Sequence, residues 1–147
     1  MYNISNGVAE FLKTFIEQER TKYMKISELK ILICDDSILV RKKLTDILKK
    51  LGITAIHEAV DGVEAVELYK EHKPDLVFMD IVMPIKTGLE ALMEIKEFDN
   101  DAKVVMASTI GTQSNLVTAI KAGAYEFLQK PVNDEDVLKV LNSLIRE

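Results

Sequence analysis

Three aspartates and one lysine stand where chemistry is most easily built. Asp80 closes the apolar run Leu76-Val77-Phe78-Met79, and the adjacent acids Asp35-Asp36 close a second run, Lys30-Ile31-Leu32-Ile33-Cys34. Each run has the length and composition of a buried strand, so each acid falls at a strand's C-terminal end, the edge where open α/β sheets bind ligands. A third run, residues 125–129, leads into Lys130-Pro131 and can bring an ammonium to the same crevice. Carboxylates crowded at one edge repel each other, and burial makes each charge costlier, so a cation belongs among them. Magnesium suits the site, since it takes oxygen ligands, needs only one or two protein carboxylates and keeps positions open for water or phosphate. In this arrangement Asp36 and Asp80 bind Mg²⁺ directly, Asp35 holds a water of its shell, and the backbone carbonyl of Val82 supplies a further oxygen. An EF-hand calcium loop is excluded, because the D-x-[DN]-x-[DN]-G spacing is absent.

Once the cluster is neutralised, one carboxylate can act as an oxygen nucleophile towards phosphorus, with Lys130 stabilising charge on the transferring oxygens. Asp80 is the candidate nucleophile, because it stands alone on the central strand between the metal and Lys130. Ser108, at the end of the fourth strand, can donate its hydroxyl to a phosphoryl oxygen.

The elements that must position these groups alternate regularly from residue 30. Strands are expected over residues 30–34, 54–58, 76–80, 103–107 and 125–129, and helices over 37–51, from 61 to Pro74, 89–98, through 116–120 to Gly123, and from about 134. Five strands alternating with five helices predict a parallel sheet covered on both faces, with right-handed crossovers. Asp61 with Glu64 resembles a capping box, Asn133 is a cap for the last helix, and Gly52 is a C-terminal stop. Residues 1–28 form a separate N-terminal extension. Val8, Phe11, Leu12, Phe15, Ile16 and Tyr23 recur at helical spacing, opposite Glu10, Lys13, Glu17 and Glu19, so an amphipathic helix of three turns or more is expected. Its stripe needs cover, and docking on the chain's own domain and self-association as a homodimer carry equal weight.

Composition narrows the class. With 147 residues and 48% apolar content, one domain over residues 29–147 can bury a core. A formal net charge of −5 with both signs interspersed argues against nucleic acid. The single cysteine, Cys34, rules out an internal disulfide or a thiolate zinc site and reads as a small buried hydrophobe; His57 and His72 read as surface residues. No stretch approaches the ~20 apolar residues of a membrane span, and no basic and apolar leader opens the chain, so a cytoplasmic protein is expected.

Asp35-Asp36, Asp80 with Met83-Pro84 and Gly88, Ser108, and Lys130-Pro131, in that order, resemble the signature of response-regulator receiver domains, the phosphoacceptors of two-component signalling. The resemblance covers residues 29–147 and implies a flavodoxin-like fold, doubly wound with strand order 2-1-3-4-5. It implies that a histidine kinase's phosphohistidine donates to Asp80 with Mg²⁺, and that Lys130-Pro131 is a cis peptide. It implies further that Ser108 and Phe127 form a switch: the hydroxyl is drawn inward, the aromatic follows, and the face made by the helix after the fourth strand, the fifth strand and the last helix is remodelled. An ordinary core aromatic is an equal reading of Phe127. Thr109 stands where the family usually has a small alanine, which narrows access for small donors. Val82 and Ile110 occupy the positions that often tune self-hydrolysis, and neither can position a water, so a long-lived phosphoryl group is expected.

Residues 111–124 look most like the chemotaxis type of single-domain regulator, whose partner is the flagellar motor switch. With no effector domain evident, output is expected through phosphorylation-dependent protein binding and not through enzymatic turnover. A phosphorelay intermediate is the alternative within the family. Outside it stand a receiver-like dimerising scaffold that needs no phosphorylation and an aspartate-nucleophile phosphatase, whose D-x-D pattern is missing because Ile81-Val82 follow Asp80. Neither G-x-G-x-x-G nor a P-loop occurs.

Overall fold

A computed structural model describes residues 4–109 and 113–146, so Ile110 lies outside the described residues, as does the side chain of Tyr23. The order of elements is α1(Ile4–Glu28), β1(Lys30–Cys34), α2(Ile38–Lys50), β2(Ala55–Ala59), α3(Gly62–His72), β3(Leu76–Asp80), α4(Gly88–Phe98), β4(Val104–Ser108), α5(Gln113–Lys121), β5(Glu126–Gln129) and α6(Asp134–Ile145). The strands form one parallel sheet in the order β2-β1-β3-β4-β5. This is the flavodoxin-like architecture with five helices after β1 and one before it. Strands β2 and β4 start and end one residue later than their apolar runs suggest. Ser108 is thereby the last residue of β4, paired in register with Gln129.

Alternation along the central strands splits the core in two. Leu32, Cys34, Val77, Met79, Val104 and Met106 face α3, α4 and α5, whereas Ile31, Ile33, Leu76, Phe78 and Val105 face α2 and α6. Every residue of β3 is buried, as expected of a parallel strand covered on both sides. The helices begin where polar caps stand. Ser37 accepts from Val40 N, Asp61 from Glu64 N, and Asn133 with Asp136 makes a full capping box. Thr87 and Glu90 form a second full box that pins the start of α4 after the loop following Asp80. Helix α3 stops at Lys73, whose φ of 46° is left-handed, before Pro74.

Helix α1 is longer than three turns, running 25 residues from Ile4 to Glu28. Among the residues whose side chains are described, its C-terminal end docks: α1 meets α6, and Ile26 with Leu29 packs on the α2–α6 side of the core. Val8, Phe11, Leu12, Phe15 and Ile16 are each half or more exposed. Own-domain docking of that stripe is therefore not what the fold provides. A straight helix rises about 1.5 Å per residue, which carries residues 8–16 well beyond the anchoring turn.

The tightest backbone approach lies beside Asp80. Gly88 N donates to Ile81 O at 2.8 Å, and a Cβ on Gly88 would sit 1.9 Å from Asp80 O. Gly88→Ala is expected to lower stability by about 2–3 kcal/mol, because carbonyl backbone and not a flexible side chain must yield. Urea unfolding of the variant checks this; an unchanged midpoint would show that the loop has room.

Candidate functional site

The C-terminal edge of the sheet gathers the predicted groups. Asp35 follows β1, Asp80 ends β3, Ser108 ends β4 and Lys130 follows β5, so four adjacent strands each deliver one side chain. Carboxylate oxygens of Asp35, Asp36 and Asp80 all lie within 4.8 Å of one another. Asp35 and Asp80 are buried, and Asp36 is exposed at the mouth. Lys130 Nζ reaches Asp35 Oδ2 at 2.6 Å and Asp80 Oδ2 at 3.3 Å. The peptide into Pro131 is cis.

Local backbone holds each acid in place. Asp35 Oδ1 accepts from Ser37 N at 2.9 Å, a turn that also sets the cap of α2, and Asp35 N donates to Ala59 O at 3.1 Å. Asp80 Oδ1 accepts from Val82 N at 3.4 Å, and Ile81 N donates to Ala107 O. Lys130 N donates to Ser108 O at 2.8 Å, so the lysine and the serine sit on one backbone bond between β4 and β5. Ser108 is buried. Phe127 is half-buried and packs against the core cluster on the α3–α5 side, two residues before the edge.

Electrostatics follow from this packing. Burial, then the charge of Asp35, push the Asp80 carboxyl above its ordinary value, against the pull of Lys130 and of the Val82 N–H. Burial alone would push the Lys130 ammonium down, but its hydrogen bond to Asp35 and the charges of Asp80 and Asp35 outweigh it, and the pKa rises. One ammonium faces three carboxylates, so the edge holds excess negative charge. The donor set is all oxygen and partly open at Asp36, which fits a small hard divalent cation such as Mg²⁺. Cys34 is buried, and burial with the charges of Glu64 and Asp35 pushes its thiol well above the ordinary value, so it is an inert hydrophobe.

Four features escaped the sequence reading. Arg41 donates from Nη1 to Asp35 O at 2.8 Å and from Nε to Glu58 at 3.1 Å, bracing the acid pair from α2; its one-turn distance from Ser37 was the available signal. At Gly62 a Cβ would meet Lys86 O at 2.2 Å, so α3 presses on the loop after Asp80. Ile85, on that loop, has φ 70° and is 82% exposed, a rare backbone for a β-branched residue. With Val82 on the same loop and Ile38 and Leu39 opening α2, it leaves an exposed apolar rim flanking the carboxylates. His57 and His72, read as surface residues, stack on each other with centroids 3.7 Å apart, away from the acidic edge on β2 and α3.

The fold and this edge together define a receiver domain, and residues 31–142 match the response regulator receiver domain family. The chain belongs to that family. The chemotaxis protein CheY of Bacillus subtilis (strain 168) is 47% identical over 116 residues, 79% of this chain and 97% of that protein. CheY of Thermotoga maritima is 44% identical over 115 residues, 78% of this chain and 96% of its own. Among solved structures, the CheX-CheY-BeF3-Mg+2 complex from Borrelia burgdorferi aligns with a TM-score of 0.74 at 38% identity, over 79% of this chain and 88% of that one. A CheY-like receiver domain protein from Methanospirillum hungatei JF-1 aligns with a TM-score of 0.75 at 27% identity, over 81% and 95%. Among the described residues no helix is long and apolar enough to cross a membrane.

The raised Asp80 carboxyl fixes a sign. A carboxyl harder to ionise folded than unfolded contributes stability only below its unfolded value, lost as pH rises through the folded one. At neutral pH the folded state therefore carries the repulsion in full. Asp80→Asn is expected to raise Tm at pH 7 in EDTA by a few degrees, at about 2–4 °C per kcal/mol for a domain this size. The gain should vanish near pH 3; thermal scans at the two pH values check it.

Proposed function

We propose that this chain is a response regulator of the chemotaxis type that takes a phosphoryl group onto Asp80 from the phosphohistidine of a histidine kinase. The observation that carries the reading is the pairing of Asp80 with Lys130 inside a three-carboxylate cluster, at the edge where a parallel sheet presents ligands. Similarity to CheY proteins, and to a CheY solved with BeF3 and Mg+2 in complex with CheX, supports it.

In the transfer, an Asp80 carboxylate oxygen attacks phosphorus, the P–N bond to the donor imidazole breaks, and that nitrogen keeps the electron pair. Asp36 and Asp80 would hold Mg²⁺ directly, Asp35 through water, with the Val82 carbonyl as a further oxygen; bound there, the ion offsets the carboxylate charge and the charge of the phosphoryl oxygens. Lys130 is held by Asp35, which orients its ammonium beside Asp80 for the same oxygens. The Ser108 hydroxyl donates to a phosphoryl oxygen, and Phe127 follows that movement on the neighbouring strand. The chain is a stoichiometric acceptor and not a turnover enzyme. Its output is phosphorylation-dependent binding of a protein such as the flagellar motor switch to the α5–β5–α6 face, where Val117, Ile120 and Leu138 are exposed. The apolar rim of Ile38, Leu39, Val82 and Ile85 suits a protein donor better than a small one.

Intact mass after incubation with Mg²⁺ tests the reading, using an active histidine kinase or acetyl phosphate. A single Mg²⁺-dependent phosphoryl adduct is expected, absent from Asp80→Ala; no adduct from either donor would overturn the proposal. Thr109 is exposed beside Ser108, and Thr109→Ala is expected to speed labelling by acetyl phosphate several-fold while leaving the kinase reaction little changed. Because the apolar Val82 cannot orient a water, the adduct on the purified protein should persist far beyond seconds, which a chase of the intact mass measures.

A further inference from the structure

The phosphoacceptor edge makes no use of α1, which precedes the matched residues 31–142 and so lies outside what the chain shares with its family. We propose that α1 pairs with α1 of a second copy of this chain, forming a homodimer whose carboxylate edges both remain open.

The case begins with helix stability. Most helical stability in proteins comes from packing an amphipathic face, and Gly7 lowers the intrinsic propensity of the first turns. Residues 4–16 are nonetheless helical, yet Val8, Phe11, Leu12, Phe15 and Ile16 find no cover on the chain's own domain. These five positions follow an i, i+3, i+4, i+7, i+8 pattern, a continuous stripe along one side, with Glu10, Lys13 and Thr14 opposite. At those exposures the stripe presents on the order of 500 Å² of apolar surface, since one aromatic side chain alone spans about 150–250 Å². Two such stripes face to face remove roughly 1,000 Å² in total, the lower bound for a specific interface and in keeping with a weak dimer.

Charge decides between occupants. A helix that lies on an anionic bilayer carries a Lys/Arg-rich polar face. This one balances Glu10, Glu17, Glu19 and Glu28 against Lys13, Arg20, Lys22 and Lys25, on a chain of net charge −5. A neutral helix can meet its own copy without repulsion, whereas a net acidic chain gains nothing from an anionic surface. Topology leaves the arrangement compatible with the site. Helix α1 feeds the start of β1 at Lys30, whereas Asp35 follows the other end of β1 and Asp80 closes β3 at that same edge. The dimer is thus independent of the phosphotransfer reading, and it makes the regulator bivalent toward a partner present in several copies.

Sedimentation equilibrium of the full chain, at about 1–100 µM, tests this. Two copies are expected, with dissociation in the micromolar range. Phe11→Asp/Phe15→Asp should weaken association at least tenfold, while Lys13→Arg on the polar side, which keeps the helix neutral, and Asp80→Ala at the acidic edge should associate like the wild type. Far-ultraviolet circular dichroism of the double variant should keep the signal of the receiver domain, separating lost pairing from lost fold. A wild type that stays single throughout the range would overturn the proposal, as would pairing undiminished in the double variant or lost in Asp80→Ala. So would a wild type that sediments singly but binds phosphatidylcholine/phosphatidylglycerol vesicles through the same two phenylalanines.

Discussion

Three like charges held at one sheet edge are the constraint on which the rest of this structure depends. Two of the acids, Asp35 and Asp80, are buried, and the only ammonium in hydrogen-bond contact with them among the described residues is Lys130. Such a cluster is costly, because each carboxylate loses water and faces its neighbour's charge. The fold tolerates it by holding Asp35, Asp80 and Lys130 on backbone: the Ser37 turn, the Ala59 and Ala107 carbonyls that accept from Asp35 N and Ile81 N, and the Ser108 carbonyl that accepts from Lys130 N. Stability is thus traded for a site charged in advance, as is common where perturbed groups cluster at a functional site.

Most of the edge was legible because its signal is short-ranged. An acid directly after a buried apolar run has few places to go, and a parallel sheet sends all such acids to one side. The pattern of Lys30–Cys34 and Leu76–Asp80 therefore located Asp35, Asp36 and Asp80 without tertiary information, and Lys130-Pro131 after β5 located the ammonium. The registers of β2 and β4 were less legible, each shifted by one residue, since a run of apolar residues in a buried strand does not mark its own ends. Gly62 and Ile85 were not legible, and Arg41 carried only the weak signal of its one-turn distance from Ser37. Gly62 matters where α3 presses on the loop after Asp80, and Arg41 reaches across to Glu58 of β2, contacts between segments distant in sequence that no local spacing encodes.

The N-terminal helix shows the opposite limit. Its stripe was plain from Val8 to Ile16, but periodicity reveals only that a face must be covered, never by what. The fold narrows the choice by anchoring Ile26 and Leu29 and leaving the stripe beyond them uncovered.

How a change at Asp80 would leave the site also follows from connectivity. Asp80 lies opposite Ala107 in the β3–β4 register, Ile81 N donates to Ala107 O, and the next residue, Ser108, accepts from Lys130 N. A phosphoryl group at Asp80 would thus bear on the last residue of β4 and the first residue after β5 at once. Phe127 stands three residues before Lys130, packed against the same cluster as Ala119 of α5. Close-packed interiors transmit such displacements as alternative packings and not as graded deformation. The helices on the other side of the sheet, α2 and α6, share their core with the anchor of α1. Helix α6 therefore belongs both to the anchor of the N-terminal helix and to the α5–β5–α6 face, so the two surfaces meet on one element.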